Sequence, residues 1–336
     1  MNSIPGSKWK RLAPAEAGFD PGKFVEIERW LDARAEDRYR VVIVRDGAIV
    51  AEWNRGVAAR EQIWLASATK SIFASVLGIA IAEGVIGSAD DRVIDYYPQA
   101  MDVPAGCGPK SGRHVFSKDH AITLRQLISN TSGYMKPGEE PGKVFHYQTY
   151  GMNILTHAIA SAYGLYDSED PEGSPGFKVL VDRMLKKPIG ADWGYYLTNF
   201  KLQSAARLNI FGYYDGVKAN ALDMARLGWL WRNGGRWGER PLIPEGWLNE
   251  ARGTAPLIQA NCPEEQWQYG YGFWSNDHGK LWPNLPRDSY AASGAGNQHI
   301  WVCPALDLVV VQSPGPYEKQ EDLDRGLLAL VVGALR

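Results

Sequence analysis

Trp64-Leu65-Ala66-Ser67-Ala68-Thr69-Lys70-Ser71-Ile72-Phe73-Ala74-Ser75-Val76-Leu77-Gly78-Ile79-Ala80-Ile81-Ala82 is the stretch from which the rest of the chain can be read. Lys70 is the only charged residue between Glu61 and Glu83. A helix that is apolar on every side is a buried helix, so the pattern predicts one over 67–83 with Lys70 shut away from water. Burial disfavours the ammonium and lowers the lysine pKa from its ordinary value of roughly 10.4. A lysine made neutral in this way can act as a base. Positions i and i+3 share a helix face, about 5–6 Å apart at Cβ, so Ser67 and Lys70 form a candidate nucleophile beside its activator. Ser-x-x-Lys also occurs at Ser7 and Lys10, in a polar tail that offers no burial. The bland alternative for Ser67 and Lys70 is a capping serine with a snorkelling lysine.

Upstream, Val41-Val42-Ile43-Val44, Asp46-Gly47 and Ala48-Ile49-Val50-Ala51-Glu52-Trp53 predict a β-hairpin, preceded by a helix over 24–35. Downstream, short strands are expected at 289–293, 299–303 and 308–312, then a closing helix over 322–335. Between the two ends, helical spacing covers 123–129, 152–162, 177–187 and 220–233, with few strand signals. Strands at both ends of the chain and helices in its middle predict an α+β fold. Its antiparallel sheet would come from 1–75 with 235–336, flanked by helices, and a mostly helical domain over 76–234 would be inserted. A catalytic cleft is expected between them.

Composition narrows the function. The chain has 336 residues and a formal net charge of −2, so it lacks the basic footprint of a nucleic-acid or anionic-membrane binder. The apolar run over 72–82 is far short of a membrane span. Residues 1–10 carry charges without an apolar stretch, which argues against a signal peptide there and predicts a cytoplasmic protein. Cys107, Cys262 and Cys303 cannot all pair and fit no zinc spacing. They are read as reduced thiols, with no metal site. His114 and His120 flank Asp119 in a polar loop and read as surface residues. His299 sits on a strand with an undecided side. The aromatic residues Trp267, Tyr269, Tyr271, Phe273, Trp274 and Trp282 read as core or an interface within the protein.

A buried lysine that moves a proton needs a second polar group. Tyr147, in Phe145-His146-Tyr147-Gln148-Thr149-Tyr150, lies where a loop enters a helix and could reach both Ser67 and Lys70. Tyr150, with Asn153 three residues on, competes for the role. Tyr290-Ala291-Ala292-Ser293-Gly294-Ala295-Gly296-Asn297-Gln298 is a strand ending in small residues, along which a substrate could lie. An oxyanion hole needs convergent N–H donors, and the backbone N–H groups of Ser67 and Ala295 are the candidates. A tightly packed strand and bulge is the alternative.

Several landmarks in order resemble one family. Ser67-Ala68-Thr69-Lys70 matches its Ser-x-x-Lys, and Ile122-Thr123-Leu124-Arg125-Gln126-Leu127-Ile128-Ser129-Asn130-Thr131-Ser132-Gly133 is similar to its Thr-Ser-Gly segment. Phe145-His146-Tyr147-Gln148-Thr149 stands in the place of Phe-x-Tyr-Ser-Asn. Ala219-Asn220-Ala221-Leu222-Asp223-Met224-Ala225-Arg226-Leu227-Gly228 and Tyr269-Gly270-Tyr271-Gly272-Phe273-Trp274 are further matches. Over roughly 12–335 the chain resembles the serine hydrolases related to class C β-lactamases and penicillin-binding proteins, which include esterases and nylon-oligomer hydrolases. The resemblance implies a β-lactamase/transpeptidase-like fold, catalysis by Ser67, Lys70 and Tyr147, and no cofactor. It places Thr149, Ala292, Ser293 and Gly294 against substrate.

Two departures bear on the substrate. Thr149 replaces a carboxamide, and Ala292-Ser293-Gly294 replaces Lys-Thr-Gly or His-Thr-Gly. The missing cation removes on the order of 1.5–3 kcal/mol of attraction for a β-lactam carboxylate. A carboxylesterase acting on small esters through an acyl-serine is therefore expected. The alternatives are an amidase (nylon-oligomer-like hydrolase, D-amino-acid peptidase or weak β-lactamase) and a non-catalytic binding module on the same scaffold.

Overall fold

The computed structural model describes residues 4–6, 8–34, 38–198, 205–315 and 326–336. From the N-terminus come β1 (Lys10–Arg11), α1 (Pro21–Arg34), β2 (Tyr39–Arg45), β3 (Ala48–Arg55) and β4 (Ile63–Trp64). A 3-10 turn, Ala66–Ala68, leads into α2 (Thr69–Ala82). The middle holds α3 (Leu124–Ile128), α4 (Tyr150–Ala162), α5 (Lys178–Val181), α6 (Lys187–Ile189), β5 (Gly194–Thr198) and β6 (Tyr214–Ala219). Then follow α7 (Ala221–Arg232), β7 (Arg236–Trp237), β8 (Arg240–Pro241), α8 (Glu245–Arg252) and α9 (Pro256–Asn261). Last come β9 (Trp274–Ser275), β10 (Tyr290–Gly294), β11 (Gln298–Cys303), β12 (Leu308–Gln312) and α10 (Leu327–Gly333).

The main sheet has the order β1-β3-β2-β12-β11-β10-β9, so the two ends of the chain are knitted together at β2 and β12. Its pairs are antiparallel except at the edge, where β1 runs parallel to β3; the sheet is mixed, not purely antiparallel as expected. Val41-Val42-Ile43-Val44 are all fully buried because both sheet faces are covered. Val41 and Ile43 pack with Phe24, Ile27, Leu31, Leu327 and Val331 of α1 and α10. Val42 and Val44 pack on the other side with the large core that includes α2, α4 and α7. On α7, a Cβ at Gly228 would come within 2.5 Å of Val309 Cγ1, so glycine lets this helix lie directly on β11 and β12. The β2–β3 turn is formed by Asp46 (φ 52°) and Gly47 (φ 71°), the left-handed pair that a two-residue hairpin requires.

Three further expectations are corrected. The middle contributes β5 and β6 to a three-stranded antiparallel sheet, β4-β6-β5, which alternation failed to reveal because Gly216 and Asp215 interrupt β6. The helix expected over 177–187 is split by a π turn, Asp182–Lys186. Ser67 lies in the 3-10 turn ahead of α2 and not inside the α-helix. Of the closing helix, 327–333 is helical, while its expected start at 322 lies outside the described residues. Ala35, the last residue of the first expected helix, lies outside them as well. Thr123 caps α3 through a capping box with Gln126, and Asn220 caps α7. No helix among the described residues is long and apolar enough to cross a membrane.

Candidate active site

The turn that carries Ser67 is sharp. Ala66 adopts φ 49°, a left-handed conformation that costs a non-glycine residue about 1–2 kcal/mol. That kink takes the chain from β4 into the helix and leaves Ser67 half-buried while Lys70 is 2% exposed. Lys70 Nζ lies 2.7 Å from Ser67 Oγ. At this distance the ammonium can donate to the oxygen, or the neutral amine can accept the hydroxyl proton. Burial alone pushes the Lys70 pKa down from 10.5 to about 8, so a neutral fraction on the order of a tenth exists near pH 7.

Tyr147, and not Tyr150, joins this pair. Lys70 Nζ lies 5.0 Å from the centre of the Tyr147 ring. Burial raises the Tyr147 phenol above its usual pKa, and a hydrogen bond with Ser67 works in the opposite direction. Tyr150 instead packs on Phe211, ring centres 4.7 Å apart, and Asn153 donates to the Phe211 carbonyl at 2.8 Å. Asn130 accounts for the difference. Its carbonyl accepts from His146 N–H at 2.9 Å and its Oδ1 from Gln148 N–H at 3.1 Å, so it grips the chain on both sides of Tyr147. The Tyr147 ring is packed by Tyr269 at 5.5 Å and Trp274 at 5.2 Å. Part of the aromatic cluster read as core thus walls the site.

The Tyr271–Gly272 segment fastens the first turn of α2. Ser71 Oγ donates to Gly272 O at 2.6 Å, and a Cβ at Gly272 (φ 73°) would sit 2.5 Å from Lys70 O. The positive φ and the close approach both require glycine. Asn130 and Gly272 were quoted in the sequence motifs without a role; each works by positioning other residues.

β10 approaches from the other side. A Cβ at Gly294 would lie 2.0 Å from Leu65 O, 2.8 Å from Ala68 N and 3.0 Å from Ser67 N. Gly294 therefore sits directly against the Ser67 turn, and Ala295 begins the exposed turn that follows. Asn297 (φ 57°) closes this turn and exchanges hydrogen bonds with Gly315 at 2.9 and 3.1 Å. A buried chain of side chains steadies it: Arg40 donates to Ser313 Oγ at 3.2 Å, which donates to Gln298 Oε1 at 2.6 Å. By strand alternation Ala292 and Gly294 share the face of the inner core, whereas Ser293 falls on the opposite face. Ser293 is paired there with His299. His299 stacks toward Trp282 and is pushed down to about 4 by burial, so it stays neutral. Thr149 stands two residues beyond Tyr147, half-buried, its carbonyl receiving the first N–H groups of α4.

The contact at Gly294 yields a sharp expectation. Gly294→Ala forces a methyl group into the Leu65 carbonyl, so β10 and the Ser67 turn must part. A loss of about 1–3 kcal/mol in stability together with reduced turnover is expected from thermal denaturation and kcat/KM. Wild-type values for both would contradict the close approach.

A family model described as Beta-lactamase matches residues 31–331. No curated protein matches the chain. Among solved structures, a putative β-lactamase from Bacteroides dorei is 16% identical with a TM-score of 0.66, covering 94% of this chain and 99% of its own. A putative 6-aminohexanoate-dimer hydrolase from Bacillus anthracis is 15% identical with a TM-score of 0.64, covering 98% and 86%. A penicillin-binding protein homologue from Caulobacter crescentus is 16% identical with a TM-score of 0.65, covering 95% and 99%. At these identities the likeness concerns the fold.

Proposed function

The chain belongs to the Beta-lactamase family, whose members at this level are hydrolases with a β-lactamase/transpeptidase-like fold, and from that premise we propose that it is a serine carboxylesterase acting on small esters. One observation carries the reading: a lysine amine buried with no carboxylate partner among the described residues, 2.7 Å from the hydroxyl of a half-buried serine. A structural lysine gains nothing from such a place, whereas a base does.

In this mechanism neutral Lys70, with Tyr147, takes the Ser67 proton as Oγ bonds to the carbonyl carbon of the ester. The resulting oxyanion rests on the N–H groups of Ser67 and Ala295, and the adjoining start of α2 adds a modest favourable field. Collapse breaks the bond to the alcohol, which leaves with a proton delivered through Tyr147. Water then gives a proton to the same pair, attacks the acyl-serine and frees the acid. Thr149, Ala292, Ser293 and Gly294 border the acyl position in this reading, Ser293 through its backbone. The cleft lies between a sheet part, 1–75 with 235–336, and a helical part, 76–234, with α7 packed on the sheet side. Such a substrate is neutral, in keeping with Ala292 where relatives of this type carry a cation. No cofactor takes part.

The test is intact-mass detection of an acyl adduct, with turnover, for a short p-nitrophenyl ester, a p-nitroanilide and a chromogenic cephalosporin. The ester is expected to acylate and turn over fastest. Preference for the anilide would make the protein an amidase. Preference for the cephalosporin would overturn the argument from Ala292, and no adduct with any of them would favour a binding module.

A further inference from the structure

Trp64 is out of character for its position. It is the largest exposed apolar side chain among the described residues, 60% accessible, three residues before Ser67. Fold stability does not call for it there, because an indole gains most when buried. It is nevertheless held flat. Its ring stacks on Tyr196 with centres 4.9 Å apart and an angle of 17° between planes. Lys218 Nζ lies 6.0 Å from the same ring.

The β4-β6-β5 sheet sets this arrangement. Trp64 pairs with Lys218, and Lys218 with Gly194, so Trp64 and Tyr196 rise from one face of the sheet. Tyr196 pairs with Gly216, where a Cβ would be 2.1 Å from the tyrosine ring, so glycine allows the ring to lie across the strand. The Tyr196 hydroxyl is in turn tied to the Ala66 backbone, the residue immediately before Ser67. Two stacked aromatic rings are thus locked to the turn that bears the nucleophile, and the indole remains open to solvent.

We propose that Trp64 and Tyr196 form a stacking platform for an aromatic ring of the substrate, so that the preferred esters carry an aryl group. The proposal rests on Ser67 being the reacting centre. Position argues for a small-molecule occupant: the platform is fastened to the backbone at Ala66, next to the half-buried Ser67. Chemistry argues for a flat, aromatic one: the indole, backed by the phenol, offers a π face.

Two measurements test it. The first is the ratio of kcat/KM for phenyl acetate to that for cyclohexyl acetate, and for methyl benzoate to methyl cyclohexanecarboxylate. Trp64→Ala is expected to lower at least one ratio roughly three- to tenfold through KM, with Trp64→Phe restoring most of it. The second is quenching of tryptophan fluorescence by 4-nitrobenzyl alcohol, which needs no turnover. Saturable quenching in the wild type should weaken in Trp64→Ala, with circular dichroism confirming that the variant is folded. Unchanged ratios in folded Trp64→Ala, or quenching that is absent in the wild type or indifferent to Trp64, would overturn the platform. Fluorophosphonate labelling of Ser67 reports separately on the reading beneath it, since the probe can carry an alkyl chain with no ring to stack.

Discussion

Ser67→Ala abolishes acyl-adduct formation and lowers ester turnover by roughly 10⁴-fold or more, the scale expected when a covalent nucleophile is removed. The Ser71 and Ser75 hydroxyls of α2 cannot take its place. Ser71 donates to Gly272 O at 2.6 Å, and Ser75 donates to Ser71 O at 2.9 Å while accepting from Trp231 at 3.0 Å. Both are buried and committed, whereas Ser67 alone faces Lys70 and solvent together. The variant should remain folded, because Ser67 is only half-buried and loss of one hydroxyl opens no cavity of consequence. Fluorophosphonate labelling followed by peptide mapping reads the result. Undiminished labelling of Ser67→Ala would place the nucleophile elsewhere and dismantle the mechanism.

Lys70→Met is expected to damage activity and improve stability at once. Removing a general base costs roughly 10²–10⁴-fold in turnover, while methionine fills a similar apolar space. The stability gain follows from the lysine pKa. Burial lowers it from 10.5 to about 8, so between those values the folded protein binds fewer protons than the unfolded chain. The wild type therefore loses stability as pH falls from 10.5 to 8, and below 8 the whole penalty is present. That penalty is about 3 kcal/mol as an upper scale, reduced by the hydrogen bond to Ser67 that methionine cannot make. Urea denaturation at pH 7 should show Lys70→Met more stable than wild type, with the advantage shrinking toward pH 10. A variant that is less stable at both values would mean that Lys70 is held by favourable partners and is no stranded base.

Ser67 and Lys70 were legible in the sequence because their signal is a contradiction: one charge in a helix with no polar face. The apolar run Val41-Val42-Ile43-Val44 of β2 was legible as a strand because the Asp46-Gly47 turn follows it. Tyr147 could not be separated from Tyr150 locally. The choice is made by Asn130, from a distant segment, whose carbonyl and side chain hold His146 and Gln148. The exact start of the helix was also beyond a periodicity argument, because a 3-10 turn and the φ of Ala66 decide where Ser67 points. Strand β6 was hidden by Gly216, which is there to receive the ring of Tyr196. Gly294 was read as a small residue that makes room for substrate; its nearer duty is to let β10 touch the Ser67 turn. Close approach between backbones is a tertiary fact, and a glycine in sequence signals only that something comes near.

The most direct measurement is the ionisation of Lys70 itself, followed by NMR on protein carrying isotope-labelled lysine, with Lys70→Met used to assign the resonance. A midpoint near 8 is predicted, and the rate of Ser67 acylation should rise with pH through the same midpoint and then level. A midpoint at 10 or above, with acylation indifferent to it, would show an ordinary ammonium beside the serine and contradict the proposed catalyst.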